Sequence, residues 1–315
     1  MRKVRANLLK LLGLAAILAL VATGCGGGGG TSGKVDLSDA EITVGSKEFT
    51  EQLVLGQIAI QALENAGATV NDQTRLAGSV AARQALESGD IDMYWEYTGT
   101  GWITYLKHTK PINDSQKQYE AVAKEDLEKN DIKWLPPAPA NNTYAIAVRK
   151  EAYDKLGVKK LSDFGQLINE NPEEATLCVG TEFSTRDDGL PGLEKAYGYQ
   201  FPRNNLVKID EGLIYQATDK GDKCNFGEVF ATDGRIEGLG LEVIEDDKSF
   251  FPIYNPSLNV RKQVIEENPQ IEKIFAPISE KLDTDTLQKL NAQVDVEGRL
   301  PEDVAEQWLS DNGFI

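Results

Sequence analysis

The sequence predicts an α/β fold in two lobes, joined by two strands, with a cleft between them. Three observations lead there. Strand-like and helix-like stretches alternate from residue 41 onward. Two proline-bearing passages, Pro136-Pro137-Ala138-Pro139 and Phe250-Phe251-Pro252-Ile253-Tyr254-Asn255-Pro256, divide that alternation into two β/α blocks. Turn-forming clusters at Gly45-Ser46-Lys47, Gly78-Ser79 and Tyr97-Thr100 fall where strands give way to helices. That is the end of an α/β sheet at which ligands sit.

In chain order, Glu41 to Gly45 reads as a strand. Residues 50–66 place Leu53, Val54, Gln57, Ile58, Ile60 and Leu63 near helical spacing, with Gly67 as the stop. Val70 to Leu76 is a second strand, and Ser79 is expected to cap a helix that ends at Gly89. Ile91 to Tyr94 is the third strand, and this β-α-β-α-β order implies a parallel sheet with right-handed crossovers. Beyond the proline run, the best hinge candidate, come strands at 143–149, 176–180, 205–209, 224–230 and 241–245. Helices alternate with them at 151–156, after Ser162, at 189–197 and at 212–219. The end is mostly helical, at about 261–267, 269–281, 284–294 and 301–311, where Pro301 with Glu302 and Asp303 is a strong helix start. No internal repeat of fixed period is present. The expected boundaries are 41–138 plus 254–315 for lobe 1 and 139–253 for lobe 2.

Residues 1–24 read as a signal peptide. Arg2, Lys3, Arg5 and Lys10 form a basic start, and Leu11 to Val21 is an apolar run too short for an ordinary membrane span. Ala22-Thr23-Gly24-Cys25 resembles a bacterial lipobox, with Ala22 where Leu is commonest. Cys25 is then the lipidated residue, and 25–40 a flexible tether led by Gly26 to Gly30. The expected location is the outer face of the cytoplasmic membrane. Cleavage at a small-residue site with Cys25 incidental is the alternative. Removing four basic and no acidic residues moves the formal charge from −17 to −21. Such acidity argues against nucleic acid or an anionic membrane surface as partner. Cys178 and Cys224 each lie in a β-type run, so a disulfide between neighbouring strands or two buried thiols fits them.

Tyr94-Trp95-Glu96-Tyr97-Thr98-Gly99-Thr100-Gly101-Trp102 concentrates four aromatics around a Gly-containing turn. Aromatic faces attract poorly hydrated cations, above all quaternary ammonium groups. At this point the chain resembles a known family. Gly45-Ser46-Lys47-Glu48-Phe49-Thr50-Glu51-Gln52, Tyr97-Thr98-Gly99-Thr100, Asn141-Asn142-Thr143-Tyr144-Ala145, Glu182-Phe183-Ser184-Thr185-Arg186-Asp187-Asp188-Gly189, Thr232-Asp233-Gly234-Arg235-Ile236 and Phe250 to Tyr254 are similar to the substrate-binding proteins of ABC importers for compatible solutes. Six motifs in order, from about residue 41 to the end, carry the likeness.

The resemblance implies a two-lobed periplasmic-binding-protein fold (type II) that closes on glycine betaine, proline betaine, carnitine or choline. It implies an ABC permease as partner, a monomer, no cofactor and no metal. Matched motif by motif, an aromatic box would comprise Tyr97, Tyr144, Phe230 and Tyr254, with the Asn142 carbonyl facing the cation. Lys47, Thr100 and Arg186 would take the ligand's carboxylate. Phe230 stands where the family pattern suggests Tyr, which keeps the π-face and loses a hydroxyl. Physical chemistry agrees independently. A trimethylammonium group has no N–H to donate, whereas stacked rings offer it on the order of 2 kcal/mol per desolvated contact. Arg offers a carboxylate a planar fork, and Lys a point charge. Two cations in the cleft favour a ligand with an anionic end.

Plainer readings compete. Tyr94, Trp95 and Trp102 read as scaffold, Arg186 could pair with Asp187, Asp188 or another surface acid, and Asp233 with Arg235 reads as a structural pair. An exported hydrolase is disfavoured, because no Gly-x-Ser-x-Gly elbow occurs and the single His108 lacks evident partners. A binding protein of the same fold for a polar amino acid such as arginine would need a carboxylate-lined cleft.

Overall fold

The computed structural model describes residues 35–315. The expected signal peptide, Cys25 and the start of the tether lie outside the described residues. Two five-stranded sheets form the frame, one in each lobe. The first runs β2 (Thr69–Leu76), β1 (Glu41–Lys47), β3 (Met93–Tyr97), β10 (Pro256–Arg261) and β4 (Ile132–Trp134). The second runs β7 (Leu206–Lys208), β6 (Leu177–Val179), β8 (Phe226–Phe230), β5 (Tyr144–Arg149) and β9 (Leu241–Val243).

The parallel pairing expected for the first three strands holds, although neither sheet is parallel throughout. β1 is parallel to β2 and β3, and β6 to β7 and β8. However, β10 runs antiparallel to β3 and β4, and β5 antiparallel to β8 and β9. β5 and β10 are the strands entered directly after the chain passes between sheets, so neither is preceded by a crossover helix to reverse its direction.

α1 (Thr50–Asn65) is almost wholly buried. Val54 and Ile58 share a core with Val44, Trp95 and Leu258, and with Phe275, Leu287 and Leu309 of the C-terminal helices. α2 (Gly78–Ser88) begins at Gly78, with Ala77 rather than Ser79 at its cap. β3 starts two residues later than expected and ends at Tyr97. Its side chains alternate, with Met93 and Trp95 in one core cluster and Tyr94 in another. The proline run packs with the first sheet: Leu135 N–H donates to Leu258 O and Ala138 N–H to Pro256 O. The two passages meet slightly later, where Asn142 N–H donates to Tyr254 O at 3.0 Å.

Cys178 of β6 and Cys224, just before β8, are joined by a disulfide with Cα atoms 5.6 Å apart. His108 does have partners: its Nε2 lies 2.9 Å from Glu125 Oε2 and its ring stacks on Trp102 at 3.5 Å. Among the described residues, no helix is long and apolar enough to cross a membrane.

Candidate ligand-binding site

The ends of β1, β3, β5 and β8 converge on one pocket at the meeting of the two lobes. Tyr97 is the last residue of β3. The chain then turns into a helix through Thr98-Gly99-Thr100, tight against the second passage. A Cβ on Gly99 would lie 2.7 Å from the Tyr254 ring and 2.8 Å from Ile253 O, so only glycine lets these segments touch. Tyr144 opens β5 and Phe230 closes β8. They are direct partners in the antiparallel register, which puts both rings on one face, 5.3 Å apart. The Tyr254 ring stands edge-on to Tyr144 at 5.5 Å.

A fifth ring was not anticipated. Phe49, between β1 and α1, stacks on Phe230 at 5.2 Å and faces Tyr97 at 6.3 Å. An aromatic in the turn after a strand was its signal, already present in the Gly45–Gln52 motif. Together the five rings line one pocket, with about 430 Å³ of empty space counted out into its open mouth. All eight residues singled out in the sequence line it: Lys47, Tyr97, Thr100, Asn142, Tyr144, Arg186, Phe230 and Tyr254. Gly78 and Ser79, one of the turns expected at the ligand end of the sheet, line it too, as do Glu48, Glu182 and Glu211, which were not singled out.

The two cations have resident partners. Lys47 Nζ is 2.8 Å from Glu96 Oε1 and donates to Ser79 Oγ at 3.1 Å. It also stands 4.8 Å from the centre of the Tyr97 ring. Arg186 forks onto Asp188 at 2.8 and 2.6 Å, reaches Glu182 Oε2 at 3.0 Å and Thr100 Oγ1 at 3.4 Å. Asp188 and Glu182, rather than Asp187, are therefore its carboxylate partners, and Asp188 also accepts from the Tyr254 hydroxyl at 2.7 Å. Asn142 uses its side chain: Nδ2 donates to Glu51 Oε1 at 2.8 Å, the oxygen that also accepts from the Tyr97 hydroxyl. Asp233 and Arg235 pair with each other at 2.6 Å.

The electrostatics follow from burial. Burial pushes the Tyr97 hydroxyl well above its usual range and Glu51 adds to the effect, so the phenol stays a donor. Burial also lifts Tyr144 and Tyr254, with the Arg186 charge opposing in each case. Glu211 is raised to about 7 by burial and by the neighbouring Glu182 and Glu48 charges. Burial alone would raise Glu182, but Lys47, Arg186 and the Ser79 amide outweigh it and hold the carboxyl below the ordinary range.

A family model for the substrate-binding domain of ABC-type glycine betaine transport systems matches residues 40–311. The chain belongs to that family. Within this glycine betaine transport family, a glycine-betaine-binding protein of Pseudomonas aeruginosa is 39% identical over 285 residues, 89% of this chain and 90% of that one. The glycine betaine-binding protein YehZ of Escherichia coli is 36% identical over 278 residues, 87% of this chain and 91% of that one. Among solved structures, one described as a glycine betaine/carnitine/choline ABC transporter superposes with a TM-score of 0.69 at 26% identity. It covers 87% of this chain and 98% of that chain. The fold is accordingly that of a two-lobed periplasmic binding protein, and the family is one of transport receptors rather than enzymes.

Proposed function

We propose that the protein binds a quaternary ammonium osmoprotectant of the glycine betaine type and delivers it to an ABC permease. One observation carries the reading: five aromatic rings from both lobes line a single pocket beside two cations. The rings would hold the trimethylammonium head by apolar contact and quadrupole attraction. Thr100 and Arg186, with Lys47 behind them, would face the carboxylate. Phe230 supplies a ring face without a hydroxyl. Because its walls come from both lobes, a bound ligand would favour the closed form, which then docks on the permease. The receptor would work as a monomer without cofactor or metal. It would be exported and held by lipid on Cys25 to the outer face of the cytoplasmic membrane. A Cys25→Ser variant recovered still bound to membranes would overturn the anchor.

The test is calorimetric titration of the soluble part with glycine betaine, proline betaine, carnitine, choline and arginine. Tyr97→Ala and Tyr144→Ala should each weaken glycine betaine by about 2 kcal/mol, roughly thirtyfold. Arg186→Ala should weaken glycine betaine far more than choline. Unchanged affinity in both tyrosine variants would sink the cage. A second reading has one observation in its favour: Glu48, Glu182 and Glu211 line the same pocket and suit a ligand with N–H donors. Tight arginine binding without any for the quaternary amines would decide for it.

A further inference from the structure

The corner of the pocket suited to a carboxylate already holds two: Glu48 Oε2 accepts from Gly78 N–H at 2.6 Å, and Glu182 takes the donors beside it. Glu182 follows β6 in the second lobe, whereas Ser79 lies in the first turn of α2 in the first lobe. Ser79 N–H donates to Glu182 Oε1 at 2.5 Å, and Ser79 Oγ donates to Glu182 Oε2 at 3.0 Å. Arg186 Nη1 reaches the same Oε2 at 3.0 Å. Lys47 Nζ stands behind, donating to the same Ser79 hydroxyl at 3.1 Å. The backbone is shaped for this approach: Gly78 has φ +76°, and a Cβ there would lie 2.5 Å from Glu182 Oε1. The start of an eleven-residue helix adds its positive end.

Glu182 and a ligand carboxylate cannot both take the Ser79 and Arg186 donors, because each would lose the groups that offset its desolvation. The carboxylate of a betaine entering the cage would compete for Arg186 and Ser79, and choline has no group that does so. We propose that Glu182 is the resident occupant of the ligand's carboxylate site: it bridges the lobes without ligand and is displaced by the anionic end of a bound betaine. Glu182 thus sets the balance between carboxylate-bearing and carboxylate-free quaternary amines. The inference rests on the quaternary-amine reading above. Its charge state is consistent, since the surrounding cations keep Glu182 ionised despite burial.

Glu182→Ala and Glu182→Gln, titrated with glycine betaine and with choline, test it. Glycine betaine should bind about tenfold tighter in Glu182→Ala, with a smaller gain in Glu182→Gln, and choline should change less than about twofold. Small-angle scattering of the ligand-free proteins should show Glu182→Ala more open than the parent. An unchanged ratio of the two affinities, or weaker glycine betaine binding in both variants, overturns the competitor role while the quaternary-amine reading stands. If no quaternary amine binds the parent or either variant, that reading fails. Scattering still decides the bridge, and identical curves for parent and Glu182→Ala would refute it.

Discussion

At the scale of single residues, Glu211 gives the pocket a measurable pH dependence. Burial beside Glu182 and Glu48 lifts its carboxyl to about 7 from an ordinary 4.5, with Lys47 opposing and Asp210 adding to the rise. The unfolded chain releases this proton near 4.5, so between about 4.5 and 7 the folded protein holds more protons than the unfolded one. Stability from this group is complete below that window and falls as pH rises through it. Glu211→Gln imitates the neutral form. Its melting temperature should match the parent near pH 4.5 and exceed it by a few degrees at pH 8, on the order of 1 to 3 kcal/mol. A difference that does not vary with pH would refute the assignment. Phe49 was passed over, whereas the other four of the five ring positions were legible because each sits in a motif at a strand end or lobe crossing. The carboxylates at Glu182 and Glu211 were not, in a chain with 50 acidic residues. Their roles depend on which segments meet across the cleft, and Glu182 meets Ser79 over 103 positions.

Among the elements, the second sheet carries a covalent tie that its short strands need. β6 and β7 have three residues each, and the disulfide holds β6 to the entry of β8 across a separation of 46 residues. Closing a loop of that length removes unfolded-state entropy worth about 4 kcal/mol. Replacing Cys178 and Cys224 together by Ala should therefore cost about 3 to 4 kcal/mol in urea unfolding. A loss below about 1 kcal/mol would mean that strand packing alone fixes the sheet. Elements with strong periodicity, such as α1, were readable from sequence. The interior strand β10 was not. Leu258 and Val260 alternate with Ser257 and Asn259, all four fully buried, and the polar pair is accommodated by hydrogen bonds to Leu135 O and Ser257 O. The helix Ser115–Asn130 was equally obscure, because it buries only Gln118, Val122 and Asp126, too narrow a stripe to register as apolar.

Across the whole molecule, the lobes, the cage and the C-terminal helices meet at one carboxylate. Glu51, in the first turn of α1, accepts from the Tyr97 hydroxyl and Asn142 Nδ2 at 2.8 Å, from Thr232 Oγ1 at 2.5 Å and from Asn291 Nδ2 at 3.0 Å. Those donors come from the end of β3, the first passage between lobes, the loop after β8 and the helix Thr284–Asp295. Burial raises the Glu51 carboxyl, and the four donors oppose that rise. With every partner a donor, a neutral amide is a poor substitute, since its nitrogen must face a donor and leave that group unpaired in the interior. Glu51→Gln should therefore lower stability by about 2 to 3 kcal/mol, unlike Glu211→Gln, where neutrality helps. It should also loosen Tyr97 and the passage at Asn142, weakening glycine betaine and choline by similar factors. That uniform loss separates a structural hub from Glu182, whose removal should move the two ligands apart. A selective loss of glycine betaine in Glu51→Gln, with unfolding unchanged, would place Glu51 among the ligand contacts instead.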